Sequence, residues 1–398
     1  MASAVDSLRG QAEAVLPEVV ALRRRIHAEP ELGLELPATQ KAVLEALDGL
    51  GLDLATGGST SAVVATLEGG APGPTLLLRA DMDALPMHED TGVEFASRHA
   101  GRMHACGHDA HVAMLAGAAR ILSQRRGDLA GTVKFLFQPG EEGFGGARIL
   151  IEEGLLDAEP SVDAAFAIHV DPTLAADAVA TRPGPILAAT DVFSIDLVGK
   201  GGHASMPHHA VDPIPVACEL VGALQALVTR RMDAFDPVVL SVTRVEAGTT
   251  HNVIPEQANV LGTTRSVSEK ARAKLHEGIR RVVSGLCAAH DCEFQLHILP
   301  GYPVTVNDAG FAEFTFGVAR ELVGDAQVVE MAAPIMGAED FSYILDRVPG
   351  SMVFLGVRPD EGPAAPIHSN RMQVNERAMA TGAALHAAMA LRFLAPGS

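Results

Sequence analysis

Residues 131–143, GTVKFLFQPGEEG, join an unbroken apolar run to a polar end. Residues 75–86 (TLLLRADMDALP) and 162–170 (VDAAFAIHV) repeat this pattern, and residues 351–357 (SMVFLGV) form another apolar run that leads into a loop. An apolar run without polar alternation is typical of a strand buried on both faces of a largely parallel sheet. Helical stretches alternate with these runs; one is residues 109–127, with Asp109 as the predicted N-cap. The pattern predicts an α/β fold with a mixed, largely parallel sheet flanked by helices.

The pattern changes between two clusters rich in Pro and Gly, at residues 181–190 and 299–308. Between them, apolar and polar residues alternate as in half-exposed antiparallel strands, in residues 193–202, 237–248 and 293–300. Helical stretches near residues 212–231 and 268–290 separate these strands. We therefore expect an α+β domain at residues 188–300, inserted into a discontinuous α/β domain made of residues 1–187 and 301–398.

Charge and composition disfavour several classes of partner. The 398 residues carry a formal net charge of −19, which argues against nucleic acid or an anionic membrane surface, since both are bound by clustered Lys and Arg. No apolar stretch has the length of a membrane helix, and charged residues interrupt the first ten positions. We expect a cytoplasmic protein with a small-molecule substrate.

The four cysteines form no CxxC pair, so a disulfide framework is not expected in a chain of this length. Cys218, Cys287 and Cys292 have no neighbouring ligands and are predicted to be core residues. Cys106 differs, because residues 104–111 (HACGHDAH) place His108 two positions after it. A thiolate and an imidazole are ligands for zinc, manganese or cobalt, although closely spaced histidines also occur on solvated loops.

The ends of the apolar runs supply further metal ligands. The runs are followed or ended by these residues: Asp81 and Asp83, Glu141 and Glu142, His169, and, after a loop, His368. Ligands collect at the carboxyl ends of strands in open α/β sheets, so these side chains are expected to share one edge with Cys106 and His108. Taken singly, each has an ordinary alternative; the two glutamates could face a helix dipole and His169 could be structural.

This combination of candidate ligands suggests hydrolysis assisted by two metal ions. Two ions would lower the pKa of a water between them, and a free carboxylate would move its proton. Adjacent Glu141 and Glu142 could divide that work, one as ligand and one as general base. Spacing alone leaves either assignment open.

Five motifs together resemble the amidohydrolase branch of the dinuclear metallopeptidases, the group of hippurate hydrolases, N-acyl-amino-acid amidohydrolases and auxin-conjugate hydrolases. The motifs are RRRIHAEPELG, LRADMDALP, HACGHDAH, FQPGEEG and GKGGHASMPHH, beginning at residues 23, 78, 104, 137 and 199. The resemblance extends from about Leu22 to His368. It implies a catalytic domain and an inserted, ferredoxin-like lid domain that often serves for dimerisation.

The resemblance also implies roles for individual residues. The implied metal ligands are Cys106, His108, Glu142, His169 and His368. They would hold two divalent ions, Zn²⁺ or Mn²⁺, with Co²⁺ or Ni²⁺ as alternatives. Glu141 becomes the general base towards a metal-bridging hydroxide. Where the wider family has HxD, this chain has DMD, so Asp83 matches the orienting Asp and Asp81 replaces a ligand. That departure leaves the division of roles between the two aspartates open.

The implied lid contributes three further candidates. His203 corresponds to a residue that stabilises the oxyanion, in some relatives within a partner subunit's site, while Asn252 and Arg265 are candidates for holding a substrate carboxylate. Each could equally be a structural or surface residue. Glu339 and Asp340 could support the site or cap a following helix.

The leading hypothesis is a metal-dependent amidohydrolase that splits N-acyl amino acids into a carboxylic acid and a free amino acid. A metallo-dipeptidase or carboxypeptidase would use the same site. A hydrolase with Cys106 as nucleophile and His108 as base is disfavoured, because two-residue spacing suits attack poorly and both glutamates would be idle. A metal-dependent binding protein without activity is the remaining alternative.

Overall fold

The computed structural model describes residues 2–362 and 364–396, with side chains from residue 7 onward. Its α-helices, in chain order, are α1 (Ala2–Ala28), α2 (Pro37–Leu47), α3 (His108–Ser123), α4 (Gly146–Glu152), α5 (Pro213–Arg231), α6 (Glu269–Ala289), α7 (Ala309–Val323), α8 (Ser342–Leu345) and α9 (Met379–Phe393). None of the helices in these residues is long and apolar enough to cross a membrane.

The strands, also in chain order, are β1 (Asp53–Thr56), β2 (Val63–Glu68), β3 (Ala71–Asp81), β4 (Ala130–Gln138), β5 (Ala164–Asp171), β6 (Val179–Thr181), β7 (Gly184–Leu187), β8 (Ala189–Val198), β9 (Gly202–His203), β10 (Val238–Ala247), β11 (Val253–Ile254), β12 (Gln257–Ser266), β13 (Glu293–Pro300), β14 (Thr305–Asn307), β15 (Val328–Glu330) and β16 (Gly350–Gly356). The chain divides into two compact units. The second comprises Leu187–Thr305 and Pro334–Ser342, and the first comprises the rest of the described chain.

The first unit is built on an eight-stranded sheet with the order β1-β2-β4-β3-β5-β16-β6-β15. The central neighbours β4, β3, β5 and β16 are parallel, whereas β1, β2 and β6 pair with antiparallel neighbours. Nearly all of the side chains in β4, β5 and β16 are buried, as their unbroken apolar runs predict. The predicted mixed, largely parallel sheet of an α/β fold is therefore confirmed.

Helices complete the hydrophobic core of the first unit. α3 packs on β3, α9 packs on β5, and α1 packs against both helices. Small and apolar side chains make this close approach possible, since α3 buries almost every residue from His108 to Leu122. The helix that begins at the HACGHDAH motif is thus fixed on the central sheet.

Apart from the short strands β9 and β11, which pair with each other, the second unit has the order of elements expected for a ferredoxin-like domain: β8, α5, β10, β12, α6 and β13. Its four-stranded sheet is antiparallel, with the order β10-β12-β8-β13, and α5 packs against α6. Buried and less buried side chains alternate along β12, which leaves one face of the strand in the core.

Two local predictions are wrong. Asp109 does not cap α3; Gly107 holds the N-cap position with a left-handed backbone, and Asp109 lies buried in the first turn. Cys218 is exposed, because the apolar run that contains it is one helix, α5, and Cys218 lies outside its buried stripe. Cys287 and Cys292 are buried, as predicted.

A buried aspartate ties together the elements of the second unit. Asp191 on β8 accepts hydrogen bonds from Arg272 Nη2 at 2.5 Å, His276 Nε2 at 2.6 Å and the Gly301 amide at 3.2 Å. Burial alone would raise the pKa of Asp191, but His276 and Arg272 outweigh it and hold the pKa well below its usual value. The charged carboxylate therefore stabilises the fold.

Asp191→Asn should lower the free energy of unfolding at pH 7 by about 3 kcal/mol, because it leaves Arg272 without its buried counter-charge. Because the pKa of Asp191 is lower in the folded than in the unfolded protein, its carboxylate stabilises the fold fully above the unfolded pKa of about 4. This contribution is lost as the pH falls below that value. The difference between variant and wild type should therefore shrink below about pH 4 in urea unfolding. Glu246→Gln, on an exposed side chain of the same unit, is the matched control; an equal effect there would contradict the assignment.

Candidate metal centre

Parallel strand pairing places the predicted site residues of the first unit at one edge of the sheet. Asp81 at the end of β3 is in register with Gln138 at the end of β4, and His169 lies near the end of β5. The loops after β3 and β4 carry Asp83 and the Glu141–Glu142 pair. All of these positions belong to the first unit, as do Cys106, His108 and His368.

The turn between the cysteine and the histidine depends on Gly107. Its φ is +90°, and a Cβ at this position would lie 2.3 Å from Val170 Cγ2 and 3.2 Å from Met372 Cε. Only glycine combines a positive φ with so close an approach to β5. The tight turn brings Cys106 and His108 to the same cluster, although they are two residues apart.

Within each of three overlapping groups, the ligand atoms lie within 4.8 Å of one another. The groups are Cys106 with His108 and His169, Cys106 with Glu142 and His368, and His108 with Glu141 and Glu142. The five predicted ligands and the predicted base are therefore brought together. The Cys106 thiol is shared by two of the groups, which gives a donor set large enough for more than one cation.

The hydrogen bonds of His108 leave one nitrogen for a ligand. Its Nδ1 donates to the Asp83 carbonyl oxygen at 2.8 Å, while Nε2 is buried and has no hydrogen-bond partner among the described residues. Glu142 Oε1 is also buried without one, 3.3 Å from His368 Nε2. Unsatisfied buried polar atoms are costly, and a cation between them would satisfy both. The residues present fit a metal site.

The acidic groups of this cluster are paired with histidines. Burial opposes ionisation of the Cys106 thiol, but His169 and His108 outweigh it and lower its pKa to about 6. The Cys106 thiolate and the Glu142 carboxylate raise the pKa of His368 to about 10. Without another cation, protons on the histidines balance the thiolate and the carboxylate. Divalent ions would take the place of those protons.

Asp83 holds the loop that carries both glutamates. Its Oδ1 accepts from the Glu141 amide at 2.9 Å, and its Oδ2 accepts from the Glu142 amide at 3.0 Å. Because the His108 ring also donates to the backbone of Asp83, this residue links the two sides of the cluster. Asp83 thus positions the glutamates and His108 without needing to bind a cation.

His111 and Asp81 form a buried pair beside His108, whose Nε2 is 3.6 Å from Asp81 Oδ2. His111 Nδ1 donates to Asp81 Oδ1 at 2.5 Å, and its Nε2 accepts from the Val170 amide at 2.9 Å. Both ring nitrogens are therefore occupied. Burial lowers the pKa of His111 to about 4, which keeps it neutral. Asp81 also accepts from Arg79 Nη1 at 2.6 Å, so its charge is balanced within the protein.

A second buried network was missing from the sequence prediction. Arg23 Nε donates to Asp109 Oδ2 at 3.0 Å, and His27 Nδ1 donates to the same oxygen at 2.8 Å. Burial opposes charge on His27, but Asp109 and Glu89 outweigh it and raise its pKa to about 9. The spacing of Arg23 and His27, four residues apart on one helix, was the available signal.

The remaining candidates lie in the second unit. His203 is exposed, and its Nδ1 is 2.9 Å from Ser205 Oγ. The Asn252 carbonyl accepts from the Ala204 amide at 3.2 Å, so Asn252 is next to the His203 segment. Arg265 is partly buried on β12 and donates to Thr263 Oγ1 at 2.6 Å. Glu339 accepts from the Phe341 amide at 3.0 Å, next to the start of α8.

Comparison with known proteins identifies the family. A profile described as peptidase family M20/M25/M40 matches residues 77–392. The chain belongs to this family. It is accordingly a metal-dependent hydrolase of the M20 type that acts on amide bonds.

Relatives within the M20 family have similar length. Thermostable carboxypeptidase 2 of Saccharolobus solfataricus is 40% identical over 394 residues, which cover 98% of each chain. An IAA-amino acid hydrolase of Arabidopsis thaliana is 40% identical over 381 residues, covering 94% of this chain and 86% of that protein. The crystal structure of a dinuclear metal-binding M20 peptidase from Bacillus subtilis aligns with a TM-score of 0.85 at 33% identity, covering 96% of this chain and 99% of that one.

Gly107→Ala should destabilise this M20-family protein by more than the strain of a positive φ alone, because its Cβ would collide with Val170. Gly92→Ala is the matched control, since Gly92 has a φ of +72° and open space around its Cα. We expect a loss of about 1 kcal/mol for the control and at least about 3 kcal/mol for Gly107→Ala in urea unfolding. Adding Val170→Ala should recover part of the second loss; no recovery would contradict the steric explanation.

Proposed function

We propose that the protein hydrolyses the amide bond of N-acyl amino acids, releasing a carboxylic acid and a free amino acid. The observation that carries this proposal is the cluster of Cys106, His108 and Glu142 with His169 and His368, which has a second carboxylate, Glu141, beside it. A cluster of ligands supplies electrophilic assistance, and an adjacent carboxylate supplies a base. Amide hydrolysis needs both.

In this proposal the five clustered side chains hold two divalent cations. Thiolate and imidazole donors favour Zn²⁺, while the carboxylate also suits Mn²⁺; Co²⁺ and Ni²⁺ are compatible with the same set. Cys106 belongs to two of the ligand groups, which supports a site for two neighbouring cations. Asp83 orients the glutamate loop, and the Asp81 carboxylate lies beside His108, 3.6 Å from its Nε2.

Bound cations would polarise the amide carbonyl and lower the pKa of the attacking water. Glu141 accepts the proton of that water and delivers it to the leaving amine nitrogen. The Glu141 side chain is buried, and its amide is fixed by Asp83, so the carboxylate is held beside the ligand cluster. Glu142 serves as a ligand, since its Oε1 lies 3.3 Å from His368 Nε2.

In this proposal the second unit acts as a lid. His203 would donate to the oxyanion, and Asn252 with Arg265 would hold the substrate carboxylate. We further propose that this lid mediates a homodimer and that the catalytic domain comprises residues 1–187 and 301–398, with the lid at residues 188–300. A cytoplasmic location suits the four free cysteines.

The acyl side of the substrate distinguishes the proposal from its nearest alternative. The Arabidopsis relative is named for hydrolysis of an amino acid conjugate, whereas the Saccharolobus relative is named a carboxypeptidase. We favour a neutral acyl group because bound metal ions would already balance the carboxylates of the ligand cluster. These carboxylates would then not need the charged α-amine of a dipeptide as a further partner. A dipeptidase would instead have to accommodate a charged α-amine.

A panel of N-acetyl and N-benzoyl amino acids, assayed beside the matching dipeptides, tests this choice. We expect kcat/KM to be at least about tenfold higher for the N-acyl compounds. Exclusive turnover of dipeptides would overturn the proposed substrate class. The same panel after exhaustive chelation should show no hydrolysis, with activity restored by Zn²⁺ or Mn²⁺, whereas a Cys106 nucleophile would survive chelation.

Glu141→Gln should lower kcat by about 10²- to 10⁴-fold, because the amide cannot accept a proton. The content of bound metal should stay at the wild-type level, as judged by elemental analysis. Glu142→Gln should instead lower the metal content. Glu152→Gln, the same change at an exposed position on α4, is the control; full activity of Glu141→Gln would eliminate the proposed base.

A further inference from the structure

Two charged residues of the RRRIHAEPELG motif are buried where the proposed chemistry does not use them. Arg23 and His27, both on α1, are only 3% and 2% exposed. Charged side chains are seldom buried unless they are paired, because the loss of hydration is costly. Their partners therefore indicate what they do.

On one side, both residues hold Asp109. Arg23 Nε and His27 Nδ1 donate to the same oxygen, Asp109 Oδ2, at 3.0 and 2.8 Å. Asp109 is fully buried and directly follows His108 in the chain. Two charge-assisted hydrogen bonds thus fix the residue that is covalently attached to a proposed metal ligand.

On the other side, His27 reaches a different loop. His27 Nε2 donates to Glu89 Oε1 at 3.1 Å, and Glu89 accepts from the Ser97 amide at 2.7 Å as well as from the Thr91 hydroxyl. With one carboxylate at each nitrogen, the His27 ring donates from both. It is a cationic bridge between Asp109 and the loop that begins at Glu89.

That loop holds the segment after His368. The Asp90 amide donates to the Asn370 carbonyl at 2.8 Å, and Arg371 Nη2 pairs with the Asp90 carboxylate at 2.8 Å. The His27 bridge therefore links the two chain segments that carry His108 and His368.

Arg23 makes a parallel connection. Its Nη1 donates to Glu376 Oε1 at 2.8 Å, so one guanidinium joins Asp109 to a residue that lies eight positions beyond His368. Arg24 also pairs with Glu376, but its side chain is half-exposed. The contacts to the ligand-bearing turn are made by Arg23 and His27.

We propose that Arg23 and His27 are positioning residues for the metal centre, which hold the Cys106–His108 turn and the His368 segment at the separation that cation binding requires. This inference rests on the ligand set proposed above. Groups that orient metal ligands typically change metal affinity by about 10- to 100-fold when they are removed. The same loss is expected here, without any direct contact between these residues and a cation.

The test measures cation affinity and stability separately. Metal-stripped protein, as wild type and as Arg23→Met and His27→Gln, is titrated with Zn²⁺ against a chromophoric chelator, and its melting temperature is recorded. Both variants should bind Zn²⁺ about 10- to 100-fold more weakly. Added Zn²⁺ should restore their kcat. Arg25→Met is the matched control, because Arg25 is an exposed residue of the same helix paired with exposed Glu45; its affinity should be unchanged.

The outcomes separate the possibilities. A lowered melting temperature with wild-type Zn²⁺ affinity in both variants would make the network purely structural and overturn the inference. If Arg23→Met does not fold, Arg23→Lys takes its place, since it keeps the charge but cannot contact Asp109 and Glu376 at the same time. Wild-type Zn²⁺ affinity in Arg23→Lys would also overturn the inference. His108→Ala tests the proposed ligand set independently, because normal affinity in that variant would refute the ligand assignment itself.

Discussion

Buried charge in the first unit must be paired. The partners of each acidic group distinguish the residues that support the candidate metal site from the candidate ligands themselves. Three aspartates are satisfied by the protein itself: Asp81 by Arg79 and His111, Asp83 by two backbone amides, and Asp109 by Arg23 and His27. The Cys106 thiol and the Glu142 carboxylate lie instead beside histidines, namely His108, His169 and His368. A set of acidic donors without a permanently charged Arg or Lys partner among these contacts is suited to divalent ions. The aspartates whose charge is already paired within the protein support that set.

Much of this arrangement could be predicted from the sequence because it follows from local patterns. Unbroken apolar runs predicted β3, β4, β5 and β16, and parallel neighbours necessarily end at the same edge. Collecting the polar residues at those ends was therefore enough to bring together ligands that are far apart in the chain. The change in periodicity, from continuous to alternating, predicted an inserted α+β domain, and the family resemblance implied its ferredoxin-like order.

The sequence could not reveal which hydrogen bonds each side chain makes. His108 and His111 lie in one motif, yet His111 uses both nitrogens within the protein while His108 leaves Nε2 for a ligand. Arg23 and His27 were visible as a helical pair, but Asp109 is more than eighty residues away. Asp109 also resembled an N-cap because the positive φ of Gly107 has no sequence pattern beyond the glycine itself.

The thiolate of Cys106 is compatible with two chemistries, and its pKa alone cannot choose between them. A pKa of about 6 would suit a nucleophile as well as a ligand. Geometry favours the ligand, since Sγ lies 3.3 Å from His169 Nε2 and also belongs to the group with Glu142 and His368. A nucleophile needs one base and an open approach to its substrate. A buried sulfur surrounded by several metal-type donors is instead placed to share a cation with them, in agreement with the proposed role of Glu141 in proton transfer.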